Sequence, residues 1–366
     1  MKKVVVSVTN DLVTDRRVAR SIEVLEDLGY EICFVGRKLE DSLPINRTYQ
    51  TIRFKLPFTK GVLFYASYNL RLFWFLLFRR FDVYLSNDLD TLLPNYIASR
   101  IWRKPLLYDT HEYFTGVPEI QHRPVVKAVW VFLEKWLFKK PKAVITVNQS
   151  IADIYFKLYG VKAKVVRNIS DSDMPAQLKT REELGLPLDK FLLINQGAGI
   201  NVDRGMEEML ETLKLLPDCA LVLVGAGDVL PKLKEMVAGT ALQEQVIFIS
   251  KRPYLEMLQY TLAADAGISL DKDTNPNYQF SLPNKLFDYI KCQKPIICSG
   301  VVEVKRIVTD YNIGAVIASH SALDIAQAVR EVQKNRSHYA AGLVKAAAEN
   351  NWEFEREKLK AVLSLV

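Results

Sequence analysis

Short runs of valine, isoleucine and leucine alternate with helical patterns along this chain, and the alternation begins twice. In the first half KKVVVSVTN (2–10), EICFVG (31–36), DVYLSND (82–88), PLLYDTHEY (105–113), AVITVN (143–148) and AKVVRN (163–168) read as strands. Helical patterns lie between several of them. In DRRVARSIEVLEDLGY (15–30), Val18, Ile22, Leu25 and Leu28 recur at helical spacing and Gly29 ends the run. A polar stretch punctuated by Pro and Gly, 171–190, reads as a linker. The pattern then restarts with FLLINQG (191–197), ALVLVGAG (220–227), QVIFIS (245–250), AGISL (266–270), IICSG (296–300) and AVIAS (315–319). Apolar strands that alternate with helices mean parallel sheets covered on both faces. The expected fold class is α/β, with two Rossmann-like domains facing across a cleft and ligands outside the carboxyl ends of the strands. The expected domains are 1–170 and 171–345, with a helix in 346–366 that packs back toward the first domain.

Composition narrows the setting. The chain has 366 residues, 49% of them hydrophobic and 25% charged, which is enough apolar material for sizeable cores. The net charge of +7 is uneven: residues 1–168 hold 27 Lys and Arg against 16 Asp and Glu, and the remainder holds 22 against 26. The stretch GVLFYASYNLRLFWFLLF (61–78) is long enough to suggest a membrane span, but Asn69 and Arg71 interrupt it, so it reads as a buried or interfacial helix. A basic half beside an aromatic helix predicts a surface for anionic lipid or a phosphorylated acceptor. No base-stacking or groove-reading motif argues for nucleic acid. Cys33, Cys219, Cys292 and Cys298 lack metal-ligand spacing and read as buried reduced thiols, which suits the cytoplasm. The short apolar run at the N-terminus reads as a strand rather than a signal peptide.

The segment FSLPNKLFDYIKCQKPIICSG (280–300) carries the sharpest signal. Ser281 is placed to cap a helix and Pro283 to open its first turn. Lys285 then stands at the positive end of the helix dipole, which disfavours it unless an anion binds there too. Asp288, one turn deeper, could accept hydrogen bonds from a ribose diol. Together they describe a nucleotide diphosphate. The plainer alternative is a surface ion pair between Lys285 and Asp288, worth about 0.2–0.5 kcal/mol.

This segment resembles the signature S-x-P-x-K-x-F-E-Y-x-x-x-x-K-P-V-I of GT-B glycosyltransferases of family 4. INQGAGINVDRGMEEML (194–210) is similar to that family's Gly-rich loop and following helix, LVLVGAGDVLPKL (221–233) to its next strand and turn, and VIFISKRPYLEMLQYTLAADAGISL (246–270) to its nucleotide-base region. VTNDLVTDRRV (8–18), SNDLDTLLP (86–94) and YDTHEYF (108–114) resemble the N-terminal segments of bacterial members that build surface polysaccharide. The resemblance implies sugar transfer from a nucleotide-diphosphate sugar, with retention and without a required metal or other cofactor. The expected acceptor is a saccharide or lipid-linked molecule, and the basic half with its aromatic helix predicts a cytoplasmic protein at the inner face of the cell membrane. The resemblance also implies that Arg204 and Lys285 offset the leaving diphosphate and that His111 stands near the reacting carbon. Gly197, Gly199, Ser281, Leu282, Pro283 and Asp288 would hold the donor. Two departures stand out. Ala198 replaces the family's arginine after the first glycine, leaving Lys251 or Arg252 to supply that charge, and Phe280 replaces an acid that contacts the donor sugar, a contact Tyr278 to Ser281 are left to make. Asp15, Arg16, Arg17, Asp88, Asp90 and Glu112 follow N-terminal strands and are candidates for the acceptor, against ordinary roles as helix-start charges and caps.

Two other readings share the same residues. A nucleotide-sugar 2-epimerase of the same fold would bind the same donor but need acid and base carboxylates. A non-catalytic nucleotide-sugar-binding protein would fit the two departures. None of the sequence features names the base, the sugar or the acceptor.

Overall fold

The computed structural model describes every residue except Thr14, Asp41 and Asp171. The chain forms two compact units, Met1–Asn168 with Glu355–Val366, and Ile169–Phe354.

The first unit is built on a seven-stranded sheet. Its strands are β1 (Lys3–Asp11), β2 (Glu31–Arg37), β3 (Gln50–Phe54), β4 (Val83–Asn87), β5 (Leu106–Thr110), β6 (Ala143–Thr146) and β7 (Lys164–Val165). The order is β3-β2-β1-β4-β5-β6-β7, and every pairing is parallel. The β-branched runs explain the centre of the sheet: Val4, Val5 and Val6 of β1 are fully buried, as cover on both faces requires. β3 was not foreseen. Its residues QTIRF are mostly half-buried at the sheet edge, and Gln50 and Arg53 interrupt any apolar run.

The second unit carries β8 (Phe191–Gly197), β9 (Cys219–Gly225), β10 (Val246–Ser250), β11 (Ala266–Ser269), β12 (Ile296–Cys298) and β13 (Gly314–Val316). They pair in parallel in the order β10-β9-β8-β11-β12-β13. Both sheets therefore reverse direction beside their first strand, at β1/β4 and at β8/β11. In doubly wound sheets the crevice at the carboxyl ends of those strands is where ligands bind. That places the segments after β1, β4 and β5, and after β8 and β11, at candidate site positions.

The stretch read as a linker is strapped to the second unit. Arg181 donates to the Ala263 and Lys190 carbonyls and pairs with Asp265 at 2.8 Å, and Gln259 donates to the Gln177 carbonyl at 2.7 Å. The helix Ala340–Glu349 also belongs to that unit, whereas Glu355–Val366 belongs to the first. Glu355 is fully buried there, accepting from the Arg167 main-chain N–H and Nε at 2.8 Å each.

The crossovers β3→β4, β4→β5 and β5→β6 carry the helices Gly61–Leu77, Leu92–Trp102 and Pro124–Leu137. All three run the same way across the sheet, so right-handed crossovers place them on one face. Rings join them: Tyr65 meets Trp130 at 5.2 Å and Tyr96 meets Trp136 at 6.0 Å. The helix Pro124–Leu137 is apolar on two sides, burying Trp130 and Leu137 while a second apolar stripe stays outside. Its apolar Val125, Val129, Phe132 and Trp136, spaced as one stripe, are 44–76% exposed. Its only acid, Glu134, is fully buried, accepting from Tyr159 Oη at 2.7 Å and Thr115 Oγ1 at 3.1 Å, and burial pushes its carboxyl up to about 7. Among the described residues no helix is long and apolar enough to cross a membrane, the helix Gly61–Leu77 included. The four cysteines are buried and unpaired.

Candidate active site

In the second unit, close backbone approaches shape the site. Gly205 (φ 76°) is the N-cap of the helix Met206–Leu213, and a Cβ there would run into the Leu270 carbonyl. At the end of β8, Gly197 accepts from the Ala226 N–H at 3.1 Å, and a Cβ on Gly225 would collide with the Gly197 carbonyl. These glycines let the loops after β8 and β9 and the turn before the helix close on the end of β11. Gly199 and Ala198 lie exposed at the mouth of that region, with open space where a Gly199 Cβ would be.

Arg204 and Lys285 converge on one carboxylate. Asp271, two residues past β11, is fully buried. Its Oδ2 accepts from Arg204 Nη1 at 2.8 Å, and Lys285 Nζ lies 3.7 Å from Oδ1. The Arg204 guanidinium also covers the Tyr278 ring at 4.1 Å, a cation–π contact. Burial pulls the Lys285 ammonium down from its ordinary pKa against the attraction of Asp271, and the charge of Arg204 adds to the lowering. Arg204 Nε, Asp271 Oδ1 and Ser281 Oγ are buried without a hydrogen-bond partner. Orphaned polar atoms are costly, and two of these, Arg204 Nε and Asp271 Oδ1, belong to side chains paired with each other, which calls for a polar ligand there. His320 joins the same corner, its Nε2 3.0 Å from the Leu270 carbonyl.

Asp288 sits on the helix Asn284–Lys291 with Lys285, but the two do not pair. Asp288 is buried, accepting from Gln196 Nε2 at 2.9 Å and Tyr254 Oη at 2.7 Å, with the Ser170 hydroxyl a further donor. Burial raises its pKa against those hydrogen bonds. The surface ion pair is thus ruled out: the side chains are buried and have other partners. The capping expectation is corrected too. The helix opens at Asn284 with Pro283 as N-cap and no side-chain cap, so Pro283 stands before the first turn and Ser281 does not cap the helix. Leu282 packs on the core. Lys251 and Arg252 are exposed just past β10, two strands from β8, and no ion pair joins them to Asp271.

In the first unit a histidine is ringed by carboxylates. The Asp88 backbone holds φ 56°, the left-handed region, and its Oδ1 accepts from the His111 main-chain N–H at 2.9 Å. His111 Nδ1 lies 3.4 Å from Asp88 Oδ2, and its Nε2 is 3.2 Å from Asn87 Oδ1 and 3.7 Å from Asp109 Oδ2. Burial works against the imidazolium, but Asp88 and Asp109 outweigh it and lift the His111 pKa to about 9. Asp90 accepts from Thr9 Oγ1 at 2.6 Å, while its Oδ1 is buried without a partner. Burial first, then the charge of Asp88, pushes Asp90 up to about 8.

Arg17 is reassigned by its surroundings. It is buried and grips Asp109 with Nη2–Oδ1 at 2.6 Å and Nε–Oδ2 at 3.1 Å, while Nη1 donates to the Val166 carbonyl at 2.9 Å. Every guanidinium nitrogen is committed to the fold, so an acceptor phosphate has no claim on it. Against burial, Arg17 and His111 hold Asp109 well below the usual carboxylate range. Asp15 caps the helix Arg16–Asp27, accepting from the Val18 N–H at 3.1 Å. Arg16 opens that helix, and Glu112, half-buried, accepts through its carbonyl from Thr110 Oγ1 at 2.7 Å. Asp109, Asn87, Asp271, Gln196, Tyr254 and His320 were missed. Each acts through a partner far away in sequence, which residue spacing does not reveal.

Two family models match the chain: Glycosyltransferase Family 4 over residues 15–172 and Glycosyl transferases group 1 over residues 176–350. The chain belongs to the family 4-like GT-B glycosyltransferases. A D-inositol 3-phosphate glycosyltransferase of Xylanimonas cellulosilytica is 22% identical over 287 residues, 70% of this chain and 66% of that protein. The chain thus spans just under two thirds of that relative. Among solved structures, sucrose-phosphate synthase of Thermosynechococcus elongatus superposes with a TM-score of 0.82 at 16% identity, over 100% of this chain and 99% of the other. Anabaena HepE in complex with UDP-glucose does so with 0.73 at 16% identity, over 100% of both. These likenesses are of fold, and the GT-B fold of this glycosyltransferase is two Rossmann-like units with seven- and six-stranded sheets.

Proposed function

We propose that this glycosyltransferase moves a sugar from a nucleotide-diphosphate sugar to a saccharide or lipid-linked acceptor, with retention, in cell-surface polysaccharide synthesis. The observation that carries the reading is the convergence of Arg204 and Lys285 on Asp271 past the carboxyl ends of β8 and β11, beside a helix N-terminus and with Arg204 Nε and Asp271 Oδ1 left without hydrogen-bond partners. Fixed positive groups there stabilise the charge that develops on a departing diphosphate. The bond from the anomeric carbon to the phosphate oxygen breaks, and its electron pair leaves with the diphosphate. The acceptor oxygen forms the new bond, and its proton leaves to the diphosphate. Two protein cations supply the countercharge that a metal would otherwise bring. Asp288 binds the ribose by exchanging a hydrogen bond from Gln196 or Tyr254 for a ribose hydroxyl. Gly197, Gly199, Leu282 and Pro283 line the donor. His111, Asp88, Asp90 and Glu112 serve the sugar and acceptor. The UDP-glucose complex of HepE makes UDP the first nucleotide to try.

Calorimetry with UDP, GDP, ADP and their sugar conjugates tests the reading. One diphosphate binds, and Lys285→Ala and Asp288→Ala each weaken it. Binding of none, or binding that both changes leave untouched, removes the donor site. Proton NMR of the anomeric centre in the product tests retention, and an inverted product refutes it.

The first unit acts at an anionic membrane surface. The exposed stripe Val125, Val129, Phe132 and Trp136, with Arg123, Lys135, Lys139 and Lys140 around it and its acid turned inward, supports this. Co-sedimentation with phosphatidylglycerol vesicles at low salt is expected, and a protein that stays in the supernatant defeats it.

A further inference from the structure

Asp271 is the member of the donor-end cluster that an anion site does not call for. A buried carboxylate repels a diphosphate and occupies the two cations meant for it. Its loop is pinned: the Lys272 N–H donates to the Asp203 carbonyl at 2.9 Å, Ser299 Oγ donates to the Asp271 carbonyl, and Gly205 abuts Leu270. The backbone that carries the charge is therefore fixed, while Arg204 and Lys285 reach it on long side chains. Arg204 holds Oδ2 through Nη1 alone and keeps Nε without a partner; Lys285, 10% exposed, stands 3.7 Å from an Oδ1 that no hydrogen bond satisfies. Neither cation is fully spent on Asp271.

We propose that Asp271 is a resident counter-ion of the donor site: it holds Arg204 and Lys285 in place while the site is empty, and it limits how tightly the diphosphate is held by competing for both. This rests on the donor-site reading above. The Asp271 charge offsets the repulsion between the two buried cations, and its Oδ2 fixes Arg204 through a hydrogen bond that the side-chain oxygen of an asparagine would still accept. With the carboxylate between them they stay placed, and an incoming diphosphate draws one or both toward its own oxygens. The fixed negative charge left behind then lies beside the diphosphate and favours its release. Asp271 is a positioning residue, since it acts through the two cations.

The test is calorimetry with whichever of UDP, GDP and ADP the wild-type chain binds best. Asp271→Asn is expected to tighten that diphosphate by about tenfold or more and to steepen the salt dependence, while Asp271→Glu stays near wild type. A carboxylate that only held structure would, once neutralised, weaken binding, so a folded Asp271→Asn with unchanged or weaker affinity overturns the proposal. If that variant fails to fold, a crystal structure of the wild type with the diphosphate decides. Arg204 or Lys285 is expected to leave the Asp271 carboxylate for phosphate oxygens, and both remaining on Asp271 overturns it. A wild type that binds no diphosphate brings down the donor reading and the counter-ion together; a wild type that binds and a variant that does not tighten brings down the counter-ion alone.

Discussion

The second sheet repeats the strand order of the first through all six of its strands, yet the carboxyl ends of the two hold opposite charge patterns. In the first unit three carboxylates, Asp88, Asp90 and Asp109, surround one histidine, and the one arginine in contact is locked into the fold. In the second, two cations surround one carboxylate, and polar atoms are left over. The first cluster is built to hold protons and the second to hold an anion. A shared topology thus fixes where chemistry sits, and the residues placed there decide its sign.

The largest test of that contrast is on stability. Arg17→Ala leaves Asp109 charged and buried with only His111, 3.7 Å away, to offset it, and is expected to cost about 3 kcal/mol in urea unfolding. Lys285→Ala should behave in the opposite way. It removes a desolvated ammonium while Arg204 still pairs with Asp271, so unfolding moves little, but sugar transfer falls about 10²–10³-fold in a donor-saturated assay. If Lys285→Ala unfolds the chain and Arg17→Ala does not, the two clusters have been assigned the wrong way round.

A smaller effect appears on titration. His111 and Asp90 both have folded pKa values above their ordinary ones, at about 9 and about 8. The sign is the same for both: the unfolded chain gives up these protons first. Their contribution is complete below about pH 4 for Asp90 and about pH 6.5 for His111, and is lost as pH rises through 8 and 9. The thermal midpoint is expected to fall between pH 6 and 9, and Asp90→Asn should flatten that fall. An unchanged slope in Asp90→Asn refutes the buried, proton-holding reading of Asp90. The smallest effect concerns the outer face of the first unit. Phe132→Ser should leave the unfolding free energy within about 0.5 kcal/mol of wild type, since that side chain is 67% exposed, yet reduce sedimentation with anionic vesicles. Unchanged sedimentation would move the contact elsewhere.

Much of the architecture was legible from pattern alone, because parallel strands buried on both faces read as apolar runs. Twelve of the thirteen strands fall on such runs, and the exception, β3, lies at an edge where burial on both faces is not required. The site was legible only in part. Lys285 and Asp288 announce themselves through their place on one helix. Asp271 does not, since it reads as the first residue of a polar loop, and its meaning depends on Arg204, 67 positions earlier. Arg17 misled for the same reason: a charged helix start looks free until Asp109, 92 positions away, is brought against it. The helix Pro124–Leu137, apolar on two sides, is a third case. An apolar stripe in sequence reads as core, and only the neighbouring layer shows which side it faces.

The buried grip of Glu355 on Arg167 has a consequence for the order of synthesis. The strands of the first sheet have all been synthesised once Val165 is made, but the helix that buries Glu355 follows the whole of Ile169–Phe354. At about 5–20 residues per second that interval is on the order of ten to forty seconds. Throughout it Arg167 lacks its buried partner, and the first unit waits, its sheet formed and one part of its surface still open, for a segment encoded beyond its neighbour.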